Sequence, residues 1–327
     1  MRFIVYGVGA IGGTVAASLA LAGREVVGIA RGRMLEAIRG DGLRLRTPLI
    51  DERVRLEVCG SPAEVSWQND DVVLLTMKSQ DTWEALLALR DAGVERQAIV
   101  CGQNGVDNER MALRLFPQVY GMTVMVPGSY TTPGEVLCHA VPKRGMFDIG
   151  RYPKGADDTA RAIADALDAA EFKAFVLEEI MQSKYGKLLE NQGNVVRAAL
   201  GPDADLGRIN AILMAEGEAV YRAAGIEWMP IGANDPRRPG IMEMGEIAGA
   251  ERGGDSSSQS LARGTGSIET DYLNGEIVLM GRLHGVPTPA NAWFTRLGAR
   301  LVREKLKPGA IAMAEVESGL RAAGVQF

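Results

Sequence analysis

Histidine, cysteine and long apolar runs are all scarce in this sequence, and each scarcity excludes a class of protein. His139 and His284 are the only histidines, which argues against a zinc site built from histidines, and we expect no metal. The three cysteines are far apart and odd in number, so no disulfide framework is expected and a reducing cytoplasm fits best. No apolar run reaches the roughly 18 residues of a membrane span. A strand-like run begins at Arg2, where a secretory leader would have a basic and then an apolar segment.

What the sequence does contain is the composition of a globular protein. Hydrophobic residues make up 46% and charged residues 24% of its 327 residues, a length that suggests about two domains of roughly 100–200 residues each. The formal net charge of −5 argues against bulk binding to nucleic acid, although it leaves room for a local basic site that binds an anion. We therefore expect a small molecule, and neither a nucleic acid nor a membrane, as the partner.

The first half of the chain alternates short apolar runs with helical patterns, which is typical of βαβ units around a parallel sheet. The predicted strands are Arg2–Tyr6, Glu25–Ala30, Asp71–Lys78 and Ala98–Gly102. The predicted helices are Ala10–Ala22, Arg33–Arg39, Thr82–Ala92 and Asp107–Leu115. Two further strand-like runs, Glu135–Ala140 and Gly145–Ile149, are predicted to form an antiparallel addition after the turn Thr132-Pro133-Gly134.

From about Asp157 onward the pattern is helical, and this predicts a second domain without strands. The predicted helices are Asp157–Ala170, Ile180–Leu200, Leu206–Ala224, Ser267–Gly285 and Ala290–Glu304. Residues 229–266 are rich in Gly, Pro and Ser, which predicts loops and could provide a mobile flap over a site. The fold class is therefore α/β, with an N-terminal Rossmann-type dinucleotide-binding domain over residues 1–177 and an all-helical C-terminal domain over residues 178–327. The helical domain could also pair with a second copy as a homodimer.

A glycine-rich loop follows the first predicted strand. Gly7, Gly9 and Gly12 form a Gly-x-Gly-x-x-Gly motif, in which Ala10 and Ile11 begin an Ala-rich helix. In this context the glycines allow a tight turn, a close approach of the backbone to a pyrophosphate, and close packing of helix and strand. The free N–H groups of the helix N-terminus would then bind the phosphates. The alternative is a tight turn that binds no ligand.

The end of the second predicted strand indicates which dinucleotide would bind. An enzyme that uses NAD usually has Asp or Glu at this point to bind the ribose 2′-hydroxyl. Here the strand ends at Ala30 and is followed by Arg31 and Arg33, whose guanidinium groups suit a 2′-phosphate. We therefore predict NADP(H) as the cofactor, with Arg31 as the first candidate for the 2′-phosphate. The alternative is that both arginines are solvated residues at the start of a helix.

Two further strand ends should lie at the same edge of the sheet. The third predicted strand ends in Lys78, and Asn104 follows the fourth. Lys78 could lie near the cofactor ribose or the substrate, and Asn104 could hydrogen-bond either one. The alternatives are a lysine that extends over apolar surface to solvent and an ordinary turn asparagine.

Several separated motifs follow one another along nearly the whole chain. They are the glycine loop with Arg31, Met77-Lys78, Gln103-Asn104-Gly105, Pro133-Gly134, Lys187-Leu188-x-x-Asn191, Glu269-Thr270-Asp271-Tyr272-Leu273-Asn274-Gly275 and His284-Gly285-Val286-Pro287-Thr288-Pro289. In these motifs and their order the sequence resembles the ketopantoate reductase (2-dehydropantoate 2-reductase) family. The resemblance implies a Rossmann domain and a helical domain with the active site between them. It also implies NADPH-dependent reduction of a 2-oxo acid, ketopantoate, to the 2-hydroxy acid pantoate, in the pathway to pantothenate and coenzyme A.

The resemblance further implies roles for individual residues. The family's catalytic lysine falls on Lys187, and its partner glutamate falls on Glu269. Its two site asparagines fall on Asn104 and Asn191. The lysine that follows its fourth-strand motif falls on Lys78. In this scheme an ammonium beside the carbonyl oxygen stabilises the developing negative charge and donates the proton that ketone reduction requires.

On the substrate side the resemblance is incomplete. The family's substrate-carboxylate serine falls within residues 256–258, where counting back from the glutamate favours Ser257 and anchoring on the following glutamine favours Ser256. Many family members continue after the first asparagine toward Asn-Pro-Leu-Thr, whereas here Val195 takes the place of the second asparagine and Asn194 lies one residue early. These departures, up to Arg197, motivate a second interpretation, an NADP-dependent reductase of a different 2-oxo acid. A third interpretation, a cofactor-binding sensor without turnover, does not explain why the lysine and the glutamate are retained.

The helical pattern by itself supports the implied site. On the predicted helix Ile180–Leu200, Lys187, Asn191 and Asn194 are spaced i, i+4, i+7 and should share one face that lines a cleft or faces water. Glu269 begins the apolar stripe of a later helix, where a carboxylate is costly to bury without a partner such as Lys187. The alternatives are a solvated lysine paired with Glu190 and an exposed first-turn glutamate.

Overall fold

The computed structural model of the chain describes residues 1–130, 132–250, 254–264 and 266–326. Within these ranges the strands, numbered in chain order, are β1 (Arg2–Tyr6), β2 (Val26–Ile29), β3 (Leu43–Arg46), β4 (Asp51–Val54), β5 (Glu57–Cys59), β6 (Asp71–Leu75), β7 (Ala98–Cys101), β8 (Val119–Met125), β9 (Gly128–Ser129), β10 (Glu135–Cys138), β11 (Ala140–Pro142), β12 (Met146–Arg151), β13 (Lys173–Val176) and β14 (Met242–Met244).

The helices are numbered in the same way. They are α1 (Ala10–Leu21), α2 (Gly32–Asp41), α3 (Thr82–Asp91), α4 (Asn108–Leu113), α5 (Asp158–Ala169), α6 (Ile180–Asn191), α7 (Asn194–Leu200), α8 (Gly207–Ala224), α9 (Ser256–Arg263), α10 (Asn274–His284), α11 (Pro289–Arg303) and α12 (Met313–Ala322). Short 3-10 turns lie at Pro62–Glu64, Ser79–Asp81, Gly232–Asn234 and Thr270–Tyr272. No helix of the described ranges is both long and apolar enough to cross a membrane.

An eight-stranded sheet forms the centre of the N-terminal half, in the order β13-β12-β8-β7-β6-β1-β2-β5. The six strands from β8 to β5 in that order are mutually parallel, whereas β12 runs antiparallel to β8 and parallel to β13. Every residue of β1, β6 and β7 is buried, as expected for parallel strands covered on both faces. The predicted parallel sheet is confirmed.

The register of this sheet defines two edges. Arg2 pairs with Asp71 where β1 and β6 begin, and we call this the amino edge. At the other end Tyr6 pairs with Leu75, and Leu75 pairs with Cys101, so β1, β6 and β7 end side by side. We call this second line the carboxyl edge. Ligands of open α/β sheets bind at the carboxyl ends of strands, at the point where the strand order reverses. Here that point is β1, because β2 lies on one side of it and β6 on the other.

Helix α1 is buried along most of its length because a second sheet covers its other side. This sheet has the order β4-β3-β10-β9, and α1 contacts both it and the eight-stranded sheet. A Cβ atom at Gly13 would approach Val136 Cγ1 of β10 to 2.7 Å, so the glycine permits the close approach. The Ala-rich, nearly uniform apolar character of α1 follows from this two-sided packing.

The two strand-like runs that the sequence predicts as one antiparallel addition belong to different sheets. β10 lies parallel to β3 and antiparallel to β9 in the four-stranded sheet, whereas β12 lies antiparallel to β8 in the eight-stranded sheet. The prediction of a single addition is therefore wrong. β10 meets β9 across the predicted turn, but β3 and β8 lie further back in the chain, and a local pattern carries no signal for such distant partners.

Contacts divide the described chain into two compact units, Met1–Lys184 with Gly232–Arg252, and Tyr185–Ile231 with Gly253–Phe327. The first unit contains the sheets, including β13 and β14, which the helical prediction for the second half missed. The segment Gly232–Arg252, predicted as loops, contributes β14, which pairs antiparallel with β11. The functional division into a dinucleotide-binding domain over residues 1–177 and a substrate domain over residues 178–327 stays a prediction.

The second unit is built from helices around one apolar core. Its buried residues come from α7, α8, α9, α11 and α12, and include Val196, Leu213, Leu261, Phe294 and Val316. Helices α7 and α9 pack against each other, and α11 contacts both α7 and α8. The helical character predicted for the C-terminal domain is confirmed.

The helix predicted over Ile180–Leu200 is interrupted. Helix α6 ends at Asn191 and α7 begins at Asn194, with Gly193 before its first turn. The carbonyl of Gln192, which an unbroken helix would use for the amide four residues later, accepts a hydrogen bond of 3.2 Å from Asn274 Nδ2. The prediction of one unbroken helix is therefore wrong, and Asn194 begins a new helix. The shared face of Lys187, Asn191 and Asn194 stays a prediction.

The helix predicted over Ser267–Gly285 is also divided. Glu269 precedes the 3-10 turn Thr270–Tyr272, and Leu273, with φ −112° and ψ −87°, separates that turn from α10. Asn274 is completely buried and donates to Gln192 and to Asn291 Oδ1, at 3.0 Å in the second case. These tertiary hydrogen bonds fix the backbone at the start of α10, so tertiary contacts override the helical period.

Candidate active site

The glycine loop lies at the carboxyl edge, packed against the end of β6. Gly7 has φ +104°, and a Cβ atom there would lie 2.8 Å from the backbone nitrogen of Met77, so only glycine fits. A Cβ atom at Gly12 would collide with Thr76 Oγ1 and with the carbonyl oxygen of Gly7. The Thr76 hydroxyl donates to that same carbonyl at 3.0 Å. The residues that follow β6 therefore fix the position of the loop.

The other side of the loop is open and fits an anion. A Cβ atom at Gly9 would meet nothing closer than the Gly7 carbonyl oxygen at 3.9 Å, so the space beside this glycine is free. Gly9 precedes α1, whose N-terminus has no side-chain cap and no acidic residue in its first turn. The first N–H groups of α1, beginning at Ala10 and Ile11, therefore keep their donors for a ligand. This cradle fits the pyrophosphate of a dinucleotide.

The end of β2 has the predicted charge pattern. Arg31 takes the position before the first residue of α2, with an extended backbone, and its side chain is exposed. Arg33 is exposed on the first turn of α2, which has no acidic residue. Between Ile29 and Met34 the chain has two cations and no carboxylate. This local positive charge agrees with a site for a 2′-phosphate. That the end of β2 binds a 2′-phosphate rather than a 2′-hydroxyl stays a prediction.

The ends of β6 and β7 meet in a buried polar network. Ser79 Oγ donates to the carbonyl of Asn104 at 3.0 Å, and Asn108 Nδ2 donates to the same carbonyl at 2.9 Å. Thr82 Oγ1 donates to Asn108 Oδ1 at 2.8 Å and accepts from Gln103 Nε2 at 3.0 Å. These bonds fix the backbone of Asn104, while no described residue hydrogen-bonds its half-buried side-chain amide.

Lys78 lies beside this network. It is half-buried and precedes the 3-10 turn Ser79–Asp81, with an extended backbone. Its position at the carboxyl edge agrees with the strand end that the sequence predicts, although β6 itself ends earlier, at Leu75. A role of Lys78 at the cofactor ribose stays a prediction.

A buried ion pair lies directly beneath the same turn, and sequence reasoning missed it. Lys184 Nζ lies 2.9 Å from Glu109 Oε1, and both side chains are at most 2% exposed. Burial raises the pKa of Glu109, and the neighbouring ammonium of Lys184 opposes this shift. One signal could have found the pair: Lys184 lies midway between Ile180 and Leu188 in the buried stripe of α6. A lysine in such a stripe needs a buried partner.

A second missed cluster holds the chain around Asp235 and Arg237 against the sheet. The guanidinium of Arg237 binds both carboxylate oxygens of Asp148 in β12, at 2.7 and 3.0 Å, and also binds Asp235 at 2.7 Å. Asp148 additionally accepts from the hydroxyl of Ser183 on α6. Both aspartates are buried, and Arg237 also lies over the ring of Phe175. This part of the predicted flap is therefore fastened by paired charges.

In the second unit, Lys187 and Asn191 lie one turn apart on α6. Lys187 is half-buried, and Asn191 is 6% exposed. The Nδ2 group of Asn191 has no hydrogen-bond partner among the described residues. A buried amide donor without an acceptor is costly, so a ligand oxygen at this position would remove an unfavourable contribution to the free energy. The roles of Lys187 and Asn191 stay predictions.

Glu269 is buried, so it is not the exposed residue at a helix start that the alternative predicted. It is 7% exposed and precedes the 3-10 turn rather than a long helix. Near it, Asn274 and Asn291 belong to a buried polar network that ends at Glu216, whose carboxylate accepts from the backbone of Ala290 and Asn291 at 2.8 and 2.9 Å. The buried carboxylate is consistent with a paired role, and its pairing with the lysine stays a prediction.

The candidate serines begin α9. Asp255 caps this helix, because its Oδ1 atom accepts from the backbone N–H groups of Ser257 and Ser258 at 2.9 Å each. Burial raises the pKa of Asp255, although these hydrogen bonds and Arg197, 3.8 Å away, act in the opposite direction. Ser256 is exposed and Ser257 is buried. Which of them would bind a substrate carboxylate stays open, but the helix N-terminus itself is already occupied by Asp255.

Comparisons with known proteins agree with this architecture. The family model described as ketopantoate reductase PanE/ApbA matches residues 3–154, and the model of its C-terminal domain matches residues 179–301. A 2-dehydropantoate 2-reductase from Caulobacter vibrioides is 30% identical over 312 residues, covering 90% of this chain and 96% of the relative. A similar reductase from Mesorhizobium japonicum is 29% identical, covering 93% of this chain and 99% of the relative.

A solved structure gives the same result. The crystal structure of a PanE/ApbA family ketopantoate reductase from Ralstonia eutropha matches 93% of this chain and 99% of its own, with a TM-score of 0.77 and 29% identity. The two family models together extend over most of the chain, in the order of its sheet-containing and helical parts. This chain therefore belongs to the ketopantoate reductase family and is an oxidoreductase of that family.

Proposed function

We propose that this chain reduces a 2-oxo acid to the 2-hydroxy acid with NADPH, and that the substrate is 2-dehydropantoate (ketopantoate) and the product pantoate. The observation that supports this best is the burial of Glu269 in a chain that has Lys187 at the position of the family's lysine. A buried carboxylate needs a cationic or hydrogen-bonding partner, and a lysine held by a carboxylate is kept as an ammonium ready to donate a proton.

The cofactor assignment has a coarse and a fine part. Membership of the family indicates a nicotinamide dinucleotide, and the open cradle at Gly9 with the uncapped start of α1 would hold its pyrophosphate. The preference for NADPH rests on Arg31, with Arg33 beside it, because a guanidinium binds a phosphate dianion through paired hydrogen bonds. Bound NADPH would supply the hydride. Lys78 and Asn104, at neighbouring strand ends, would contact its ribose and nicotinamide.

The proton comes from the protein. As hydride reaches the carbonyl carbon, negative charge grows on the carbonyl oxygen, and the ammonium of Lys187 stabilises that charge and donates a proton from Nζ. Glu269 orients this ammonium. Asn191, whose buried Nδ2 donor has no acceptor among the described residues, donates to a substrate oxygen. A serine at position 256 or 257 binds the substrate carboxylate, with Asn194 nearby in sequence on α7.

The direct test is oxidation of NADPH by the purified protein, followed through the absorbance of the reduced nicotinamide. Ketopantoate is assayed beside a panel of other 2-oxo acids, each with NADPH and with NADH. High turnover specific to ketopantoate and NADPH is the expected result. Binding of NADPH without turnover on any acid of the panel would contradict an enzymatic role and favour a sensor.

Replacing the proposed acid tests the mechanism. Lys187→Ala should lower kcat by roughly 10²–10⁴-fold, the range attributed to general acid catalysis, while the affinity for NADPH changes little. Lys143, a half-buried lysine paired with the exposed Glu171, provides the control, because Lys143→Ala removes an equal charge away from the proposed site. Turnover of Lys187→Ala close to that of Lys143→Ala would contradict the assignment.

A different 2-oxo acid is the second candidate substrate, and one observation favours it. Arg197 follows the segment that departs from the family pattern, its side chain is 45% exposed, and it lies 3.8 Å from Asp255 at the start of α9. An exposed guanidinium beside the candidate serines would suit an acid with an additional negative group. The panel therefore includes 2-oxo acids with a second carboxylate, and faster turnover of one of these than of ketopantoate would transfer the substrate assignment to it.

We also propose a cytoplasmic location and a homodimer formed through the helical domain. All three cysteines are unpaired and buried, which suits a reducing compartment. The exposed leucines Leu279 and Leu283 lie one turn apart on α10 and would be covered in a dimer. Sedimentation equilibrium of the purified protein tests the dimer, and a monomer at micromolar concentration would contradict it.

A further inference from the structure

The ammonium of the buried pair Lys184–Glu109 contacts three oxygen atoms. Lys184 Nζ donates to the backbone carbonyl of Gln103 at 2.6 Å and to that of Cys101 at 3.3 Å. It also lies 2.9 Å from Glu109 Oε1, as an ion pair without hydrogen-bond geometry. The lysine thus joins the end of β7, the turn after it, α4 and α6 at a single atom.

Stability alone does not explain such a pair. Removing two charges from water is costly, and replacing a buried ion pair by apolar residues of similar size is often neutral or stabilising. The carboxylate lies among buried groups such as Cys101 and Gly121, which offer little polar compensation. A buried pair is therefore better explained by what it holds in place than by the free energy of folding.

What it holds in place is the turn of Asn104. Lys184 fixes the carbonyl immediately before this residue, at Gln103, while Ser79 and Asn108 fix the carbonyl of Asn104 itself. The backbone is thereby constrained on both sides of the Asn104 side chain, which has no hydrogen-bond partner among the described residues. Such an arrangement orients an amide toward a ligand without using its donors and acceptors.

The amino edge of the same sheet provides a comparison. Arg2 binds both carboxylate oxygens of Asp71 at 2.9 Å, and these residues are 6% and 1% exposed. The pair joins the first residues of β1 and β6. Arg2 also donates to the carbonyl of Ser66 at 2.7 Å and lies 3.8 Å from Glu25, and Asp71 accepts from the backbone of Gln68 at 2.8 Å. No residue proposed to bind cofactor or substrate adjoins it. The two buried pairs therefore differ in what they are attached to.

We propose that Lys184, paired with Glu109, is a positioning residue for the reduction: it fixes the turn that orients the Asn104 side chain toward the reacting molecules. This inference rests on the proposed function for its effect on turnover, but its effect on the turn can be measured without turnover.

The test removes both charges at once. The double variant Lys184→Met/Glu109→Gln keeps unbranched side chains of similar size and leaves neither charge of the pair, and Arg2→Met/Asp71→Asn is the matched control at the amino edge. Each is compared with the wild type in thermal unfolding, in NADPH binding by fluorescence, in kcat and KM, and in amide hydrogen exchange of the peptide that contains residues 102–106. All kinetic measurements are made at least about 15 °C below the lower melting temperature, where both variants are folded.

The expected result is a split between kcat and KM. The Lys184/Glu109 double variant should lose about 10–100-fold in kcat, because a displacement of about 1 Å in a positioned group can cost 10²-fold, while KM changes little. Its residues 102–106 should exchange at least about tenfold faster. The control should keep kcat within about threefold and leave exchange of this peptide unchanged. Equal kcat in the two double variants, or unchanged exchange in the first, would overturn the inference.

Two further measurements apply if the double variant does not fold or if the wild type shows no turnover. If the double variant does not fold, Lys184→Met alone is measured near pH 6, where Glu109, whose pKa burial raises, is more readily neutral than an exposed glutamate. The same kcat loss and exchange change are expected. If the wild type turns over no 2-oxo acid, the proposed function fails, and hydrogen exchange alone decides whether Lys184 fixes the turn.

Discussion

The two edges of the eight-stranded sheet are made by the same strands but differ in how their polar groups are paired. At the amino edge, Arg2 and Asp71 satisfy each other, and Asp71 also accepts from the backbone of Gln68 at 2.8 Å. At the carboxyl edge, the first turn of α1 has no cap, and the side chain of Asn104 has no partner within the described chain. Polar groups that are fully paired hold strands together, whereas groups whose bonding capacity is left unused are available to a ligand. The contrast supports the proposal that the cofactor and substrate bind at the carboxyl edge.

The largest expected effect is at the amino edge and concerns stability alone. Asp71→Ala leaves the Arg2 guanidinium buried without its partner, which should lower the free energy of unfolding by about 3–5 kcal/mol. Urea unfolding measures the loss. In the remaining folded protein the Kd for NADPH should stay within about twofold, because no candidate ligand residue adjoins this pair. A much weaker affinity for NADPH in folded Asp71→Ala would break the contrast between the edges.

A smaller effect is expected from a methyl group in the glycine loop. Gly12→Ala places a Cβ atom against Thr76 Oγ1 and the Gly7 carbonyl, and overpacking of this kind costs about 1–3 kcal/mol. Because relief requires the loop to move, the Kd for NADPH should rise about 10–100-fold, as measured by fluorescence titration.

The matched control for Gly12→Ala is a glycine in the turn after α1, at the amino edge. Gly23 has φ +76° and open space around its Cβ position, so Gly23→Ala adds backbone strain of about 1–2 kcal/mol without a collision. It should lower stability and leave the Kd for NADPH unchanged. Similar affinities of the two variants would show that the glycine loop does not contact the cofactor.

Much of the carboxyl edge could be predicted from the sequence because its signals are local. An apolar run, a glycine motif and an Ala-rich segment follow one another within about twenty residues, which identifies β1, the loop and α1. The ends of β2, β6 and β7 are predicted to within a few residues for the same reason. The positions of Arg31 and Asn104 then follow from the strands that precede them.

The remaining features depend on partners far away in the sequence. The four-stranded sheet joins β3 to β10, and the ion pair joins α4 to α6, so neither has a local pattern that names its partner. Lysine is rarely buried, so the residue type of Lys184 predicts an exposed side chain, although its place in the apolar stripe of α6 indicates burial. The break between α6 and α7 could not be predicted, since it depends on the side chain of Asn274.

The smallest expected effect distinguishes two exposed arginines at opposite ends of β2. Arg31 follows this strand at the carboxyl edge, and Arg24 precedes it at the amino edge. If Arg31 binds the 2′-phosphate, Arg31→Ala should lower the preference for NADPH over NADH about tenfold, near the lower limit for hydrogen bonds to a charged group because the site is exposed to water. The preference is the ratio of kcat/KM for the two cofactors. Arg24→Ala removes an equal charge from the same unit but further from the proposed phosphate, so its loss of attraction is the smaller one, and long-range attraction is screened by salt in both variants. A direct contact predicts that the difference in NADPH preference between the two variants persists at about 0.5 M salt, where the Debye length is roughly 4 Å. Its disappearance there would reduce Arg31 to general electrostatic attraction.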